Sequence, residues 1–288
     1  VQKSTGLPKP LPTYPNGYKN NLQKQTKNMQ LIDTHAHIYS EQFAKDRSQM
    51  IERAKEGGIC NIFMPNIDHR SIDSMLELEE KYPAYCVPMM GLHPCSVKKD
   101  FEKELYIVEN WLSKKKFVAV GEMGLDLYWD STFEAQQIEA FKIQANWAKQ
   151  YKVPLIIHSR SRTEGEAMQK IIALLEDLAH ENLFGILHCF TGTVADAKRL
   201  TALNFRLGIG GVVTYKNGGL EPIIQQLDLQ HFVLETDCPY LAPNPHRGKR
   251  NETAYTALVA QKMADIRQVD VLEIAKITTE NARKLFGN

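Results

Sequence analysis

From Gln30 onward, short apolar runs alternate with longer amphipathic stretches eight times, and no linker-like break interrupts the series. Such alternation makes the strands parallel, because each helix carries the chain back to the edge from which the next strand starts, and it points to one domain. The candidate strands are Gln30–Asp33, Ile59–Pro65, Tyr85–Met90, Phe117–Val120, Leu155–Ile157, Gly185–Leu187, Arg206–Ile209 and Phe232–Leu234. They are short, apolar and mostly β-branched, as strands covered on both faces should be. Two helical stretches carry boundary signals: Glu41–Glu56 runs into Gly57-Gly58, and Ser131 followed by Glu134 forms a capping-box pattern ahead of a run through Tyr151. In that run Phe133, Ile138, Phe141, Ala145 and Trp147 recur at near-helical spacing and mark a packing face. Eight such units in the 260 residues from Met29 to Asn288 match the roughly 250 residues of a (β/α)8 barrel. A doubly wound open sheet needs a glycine-rich phosphate turn after its first strand, where this chain reads Asp33-Thr34-His35-Ala36-His37. The expected fold is therefore α/β, a single (β/α)8 TIM barrel over residues 29–288.

Residues 1–28 stand apart, with Pro8, Pro10, Pro12 and Pro15, much Asn, Gln and Lys, and no acidic residue. That composition does not fold by itself, so the segment is read as a disordered or extended leader. It contributes five lysines to a net charge of +1, which leaves −4 for residues 29–288. The body is thus not a general polyanion binder. No apolar run approaches the roughly 18 residues of a membrane helix, and the start lacks the features of a secretory signal, so the expectation is a cytoplasmic protein with no membrane partner. Cys60, Cys86, Cys95, Cys189 and Cys238 are odd in number, scattered and without a C-x-x-C pair, and are read as reduced, mainly buried thiols.

His35 and His37 leave the first strand two residues apart, so an extended backbone points both imidazoles the same way. Alone this is a weak motif. It gains weight because other strand ends carry metal-type residues too: Glu122 after the fourth, His158 after the fifth, His188 after the sixth and Asp237 after the eighth, with His93 after the third. A β/α barrel brings all its strand C-termini to one mouth, where four histidines and two carboxylates would make a ligand set for two divalent ions. Each residue also has a plainer reading. His158 or His188 alone is more often a hydrogen-bonded core histidine, Asp237 ahead of Pro239 could cap a helix, and His93 could simply be ordered by Pro94. Glu122 resists such a reading, since an acid at a buried strand end needs a partner to offset desolvation. His69, His180, His231 and His246 are read as ordinary surface residues.

These residues resemble the TatD-like deoxyribonucleases, a branch of the metal-dependent hydrolases built on the amidohydrolase-type barrel. The likeness spans nearly everything from Met29 and rests on six blocks in order: Asp33-Thr34-His35-Ala36-His37, Gly91-Leu92-His93-Pro94, Gly121-Glu122-Met123-Gly124-Leu125-Asp126, Ile157-His158-Ser159-Arg160, His188-Cys189-Phe190-Thr191-Gly192, and Glu235 through Pro243. The resemblance implies that His35, His37 and Asp237 hold one ion, that His158 and His188 hold another, and that Glu122 bridges them. It also implies hydrolysis of DNA phosphodiester bonds, with 3′ to 5′ exonuclease activity in some members. One departure is Thr253, which follows Arg250-Asn251-Glu252 where the pattern has proline and which leaves the local turn in question. Residues 1–28 have no counterpart.

In that chemistry the two ions, Mg²⁺, Mn²⁺ or Zn²⁺, share Glu122 and activate the attacking water. Asp237 serves as general base, and His93 contacts the phosphate or the leaving oxygen. The cationic run His246-Arg247-Gly248-Lys249-Arg250-Asn251 is a candidate DNA contact, and Tyr128, Trp129 and Phe190 are candidates to stack on unpaired bases of single-stranded or frayed DNA. Arg160, Arg250 and Tyr128 are the named substrate contacts. Two rival functions remain open at this point. A deacylase or amidohydrolase could use the same barrel and metals on a carbonyl carbon. A nucleic-acid-binding protein that has lost catalysis is disfavoured by the full set of six ligands.

Overall fold

Eight parallel strands form the wall of the barrel: β1 (Leu31–Asp33), β2 (Ile59–Pro65), β3 (Cys86–Met89), β4 (Val120–Leu127), β5 (Leu155–Ser161), β6 (Gly185–Leu187), β7 (Phe205–Ile209) and β8 (Phe232–Leu234). The computed structural model describes residues 29–178 and 183–287, so the leader expected at residues 1–28 lies outside the described residues. Helices α1 (Arg47–Glu56), α2 (His69–Lys81), α3 (Phe101–Lys114), α4 (Glu134–Tyr151), α5 (Glu166–Asp177), α6 (Val194–Ala202) and α7 (Glu221–Gln226) follow β1 to β7 in turn, and α8 (Thr256–Arg267) and α9 (Val271–Phe286) come last. Strands β1 to β3 and β4 to β8 are hydrogen-bonded runs, joined by single bridges at Met90–Val120 and Ala36–Cys238. The closing seam between β1 and β8 is carried by Thr34 N–H on the Leu234 carbonyl (3.0 Å) and Asp237 N–H on the His35 carbonyl (2.9 Å). The architecture is the expected TIM barrel.

The pleat sorts side chains by a period of two. Leu31, Ile62, Met64, Leu155, Ile157, Leu187, Leu207 and Leu234 pack outward against the helices. Ile32, Phe63, Met89, Ala119, Ile156, Ile186 and Val233 form a separate cluster inside the barrel, completed by Ala282, Leu285 and Phe286 of α9. Helix α9 sits under the N-terminal ends of the strands. Asn281 donates to the Leu229 and Phe232 carbonyls (2.8 Å each) at the start of β8, and Thr279 donates to the Gln30 carbonyl (2.8 Å) at the start of β1. The Phe286 ring then stacks on Phe63 with centroids 3.8 Å apart and stoppers that end.

Four local expectations are corrected. The fourth strand begins at Val120, where the sequence pattern ended it, and both β4 and β5 run past the mouth as a paired ribbon, with Gly124 opposite His158 and Asp126 opposite Arg160. The apolar run is broken in this extension by Gly121, Glu122, Gly124 and Asp126 in β4 and by His158 to Ser161 in β5; a side chain at Gly124 would lie 2.0 Å from the His158 carbonyl oxygen. The stretch Glu41–Glu56 is a 3-10 turn at Glu41–Phe43 followed by α1, and Gly58, not Gly57, takes the left-handed conformation after it (φ 84°). The Ser131 capping box does not form: α4 starts with Phe133 as N-cap, and Glu134 N–H meets the Ser131 carbonyl at 3.2 Å. Thr253 opens an intact 3-10 turn at its first position, a place that proline also suits, and its hydroxyl donates to Met50 Sδ (3.6 Å). The five cysteines are free thiols, and among the described residues no helix is long and apolar enough to cross a membrane.

Removing the stopper should loosen the whole barrel. Phe286→Ala is expected to cost roughly 3–5 kcal/mol, read as a lower urea midpoint at unchanged m-value; an unaltered midpoint would show that α9 does not close the interior.

Candidate metal centre

The same pleat that points Ile156, Ile186 and Val233 inward points His158, His188 and Glu235 inward one step nearer the mouth. In β4 the register slips between Gly121 and Met123, which turns Glu122 into the barrel as an added inward residue. The residue is 1% exposed and five imidazoles surround its carboxylate. His35 Nε2 is 3.0 Å from Oε2 and His158 Nδ1 is 2.9 Å from Oε1. His37 and His93 approach to 3.6 Å and His188 to 3.8 Å through Nε2. Asp237 Oδ1 completes the group, 3.4 Å from His37, 3.8 Å from His188 and 3.9 Å from His35. All six expected ligand residues, and His93 with them, therefore converge on one point. The donor atoms fall into overlapping triads able to hold a cation, among them His35–His37–Glu122 and His35–His188–Asp237.

Each imidazole is oriented by what its other nitrogen touches. His37 Nδ1–H donates to the Tyr39 hydroxyl (2.8 Å), which itself donates to the Pro65 carbonyl, so Nε2 keeps its lone pair for the site. His158 Nε2–H donates to Asp126 Oδ2 (3.0 Å), leaving Nδ1 to face Glu122; Asp126 Oδ1 in turn accepts from the Tyr128 and Trp129 backbone N–H groups. His188 Nδ1 lies 2.9 Å from Glu235 Oε1, an ion-pair contact whose N–H is not aligned as a hydrogen bond, and its Nε2 faces the centre. His93 is the reverse case. Its Nδ1 accepts from Cys95 N–H (3.0 Å), so the proton of the neutral ring sits on Nε2 and points into the cavity as a donor. A grouping of His93 with Glu122 and His158 around a cation is possible by distance alone, but a protonated Nε2 has no lone pair to give.

Charge is arranged accordingly. Burial opposes ionisation of Glu122, yet His35, His93, His188 and His158 hold its carboxyl well below the usual range. Burial likewise opposes Asp237, which His188, His37 and His35 nonetheless keep ionised. Burial disfavours imidazolium at His158 and His188, but Asp126 and Glu122 raise the first to about 9, and Glu235, Asp237 and Glu122 raise the second to about 10. At His35 and His93 burial wins and the rings are pushed down. Cys95 and Cys189 also face the cavity, but burial pushes Cys95 up to about 12 and Cys189 well above the usual thiol range, so neither offers a thiolate nucleophile.

Behind the ligands lie supports the sequence reading did not single out: Tyr39, Asp126, Glu235 and Asn251. Asp237 has a left-handed backbone (φ 57°), which a non-glycine residue holds only when its surroundings impose it. Asn251 Nδ2 imposes it by donating to the Thr236 and Tyr240 carbonyls (2.8 and 2.7 Å) on either side, while Asp33 accepts from Thr236 N–H (3.0 Å) and its hydroxyl (2.6 Å). Glu235 was open to discovery by the period of two, lying between inward Val233 and Asp237. Nothing local signals Tyr39, whose acceptor belongs to the end of β2.

A cavity of about 930 Å³ opens above the cluster. Arg160 lines it, its guanidinium 4.2 Å over the Tyr128 ring and 5.2 Å over Trp129, and the two rings meet edge to face at 4.9 Å. Trp129 is 64% exposed. Two expected substrate contacts are placed elsewhere. Arg250 does not line the cavity: its guanidinium grips the Asp46 carboxylate at 2.6 and 2.7 Å and covers Phe43. Phe190 is 1% exposed, packed against Gly192, and cannot reach a base. His69 is exposed and pairs with Glu104, His231 and His246 are half-buried, the latter stacked on Tyr255, and His180 lies outside the described residues.

Known proteins resemble this chain in sequence and fold. Residues 32–287 match the family model of the TatD related DNases. The uncharacterized metal-dependent hydrolase YabD of Bacillus subtilis is 38% identical over 257 residues, covering 89% of this chain and 98% of YabD. The 3′-5′ ssDNA/RNA exonuclease TatD of Yersinia pseudotuberculosis is 31% identical over 262 residues, covering 89% of this chain and 99% of its own. Among solved structures, the TatD homolog YjjV of Escherichia coli superposes with a TM-score of 0.81 at 31% identity, over 90% of this chain and 98% of YjjV. This chain belongs to the TatD related DNase family of metal-dependent hydrolases.

Proposed function

We propose that the protein is a deoxyribonuclease that hydrolyses phosphodiester bonds in single-stranded or frayed DNA, working from the 3′ end, with two divalent cations. The observation that carries this reading is the buried Glu122 carboxylate, ringed by imidazoles of which His37 and His188 turn Nε2, and His158 turns Nδ1, towards it. Three such nitrogens, His35 and two carboxylates suit a pair of Mg²⁺, Mn²⁺ or Zn²⁺ ions by donor type. His35, His37 and Asp237 would hold one and His158 and His188 the other, with Glu122 between them. The chemistry such cations supply when bound is a lowered pKa for water and neutralisation of charge on the phosphate.

The chain's own groups provide the rest. Asp237 is ionised and accepts the proton of the attacking water. His93 Nε2–H donates to a phosphoryl or leaving oxygen, and burial, which keeps that ring neutral, fixes it as a donor of one hydrogen bond. The Arg160 guanidinium on Tyr128, beside exposed Trp129, supports an unpaired strand as substrate, since stacking on a side chain needs bases free of their complement. The exonuclease name of the Yersinia relative supports the same direction.

Glu122→Gln and Asp237→Asn should each lower the hydrolysis of labelled single-stranded DNA by at least ~100-fold while circular dichroism and melting stay near wild type. Consumption of acyl or aminoacyl esters in place of DNA would reassign the enzyme to carbonyl chemistry. Metal binding should also be proton-linked. With His158 raised to about 9 and His188 to about 10 in the metal-free protein, both carry protons that a cation must displace, so apparent affinity rises from pH 6 to pH 8. Titration calorimetry in buffers of different ionisation enthalpy should therefore report proton release, and a buffer-independent heat would contradict the ligand assignment.

A further inference from the structure

In the cationic run after β8, Arg250 is consumed by Asp46, whereas Arg247 and Lys249 have no carboxylate within ion-pair distance among the described residues. Both line the cavity. Arg247 is exposed, yet it is not an unanchored surface arginine: its guanidinium lies 4.3 Å over the ring of Tyr215, which follows β7. Tyr215 is fixed in turn by donating to the Ala242 carbonyl at 2.9 Å. The two loops are stitched further by Asn244, whose N–H donates to Thr214 Oγ1 (2.8 Å) and whose Nδ2 donates to the Thr214 carbonyl (2.6 Å). They approach so closely that a side chain at Gly211 would lie 2.1 Å from the Leu241 carbonyl oxygen. An aromatic ring under a guanidinium restricts its motion and leaves its N–H groups free for a ligand in the plane of the group.

We infer that Arg247 on Tyr215, with Lys249 beside it, forms a phosphate subsite for a backbone phosphate of the substrate other than the one cleaved. This rests on the phosphodiesterase reading for its substrate but on separate residues for its evidence. The loops after strands seven and eight are a recurrent place for phosphate binding in β/α barrels. In this barrel they lie two and three strands from β5, which carries Arg160, and the Glu122 cluster is drawn from the ends of β1, β4, β5, β6 and β8 around the same mouth. Arg160 on Tyr128 and Arg247 on Tyr215 thus offer two guanidinium positions on different sides of the reacting centre. The substrate class follows: an oligonucleotide with phosphates flanking the scissile one, in preference to an isolated phosphodiester.

The test uses the full chain with Mn²⁺ and a fluorescein-labelled oligothymidylate of about ten nucleotides with phosphorothioate linkages, followed by anisotropy over a range of salt. Arg247→Ala should weaken binding about tenfold and reduce the slope of log affinity against log salt by about 0.7, the value for one lost phosphate contact on a single strand. Arg247→Lys should keep the slope while binding more weakly, and Tyr215→Leu should do the same, because each spares the charge and removes the stack. In turnover, Arg247→Ala should raise KM for the unmodified oligonucleotide and leave hydrolysis of bis(4-nitrophenyl) phosphate unchanged. Wild-type binding and salt slope in Arg247→Ala would overturn the subsite, as would an equal loss on both substrates. Arg247-dependent binding without any hydrolysis would uphold the subsite and defeat the deoxyribonuclease reading instead.

Discussion

A carboxylate carried by a residue only 1% exposed, at the centre of the barrel mouth, sets the terms for everything around Glu122. Removing such a charge from water costs several kcal/mol unless opposite charge and hydrogen bonds replace the solvent. The five surrounding imidazoles replace it only in part. Burial pushes His35 and His93 towards neutrality, so the positive charge falls on His158 and His188, against ionised Glu122, Asp126 and Asp237. The balance is negative even with both rings protonated. A site with that balance, lined by imidazole nitrogens and carboxylate oxygens, is one whose donor groups could hold a cation.

The fold delivers this cluster through short strands and small irregularities. A strand of three residues fixes little more than a direction, but the pleat makes that sufficient: one apolar residue inward, then a ligand two positions on, as at Ile156 and His158 or Ile186 and His188. The slip at Gly121 adds an inward residue where the regular pleat would have turned Glu122 towards the helices. At the opposite seam, Asn251 and Asp33 hold the backbone around Asp237 so that its carboxylate meets His37 across the closure of the barrel. The Arg53–Glu252 and Arg250–Asp46 ion pairs tie that loop to α1 and its N-cap, so the densest cationic segment contributes one arginine to architecture and leaves another for the cavity.

The eight strands and the convergence of the six candidate ligand residues were legible in the sequence because both depend on local pattern: apolar runs mark the wall, and a polar residue just beyond a run marks the mouth. What stayed hidden depends on partners far along the chain. Arg250 reads as a free cation until Asp46, 204 residues away, folds against it. Phe190 reads as a loop aromatic until the turn through Gly192 covers it. The extension of β4 and β5 escaped because its inward positions carry function in place of hydrophobic side chains, so the signal that announces a strand is missing where the strand matters most for the site.

The roles of the histidines were the least legible feature, and the reason is physical. His37 is buried and His93 partly so, both lie near Glu122 and just past a strand, and nothing in either residue separates ligand from donor. The separation lies in the partner of the remote nitrogen. Where that partner is an acceptor, as the Tyr39 hydroxyl is for His37 and Asp126 for His158, the outer nitrogen keeps its proton and the inner one is the nitrogen a cation can use. Where it is a donor, as Cys95 N–H is for His93, the proton is driven inward. A backbone N–H cannot change its sense, whereas a hydroxyl can, so the donor role of His93 is the more rigidly assigned of the two. The chemistry of the mouth is therefore set one layer behind the groups that perform it.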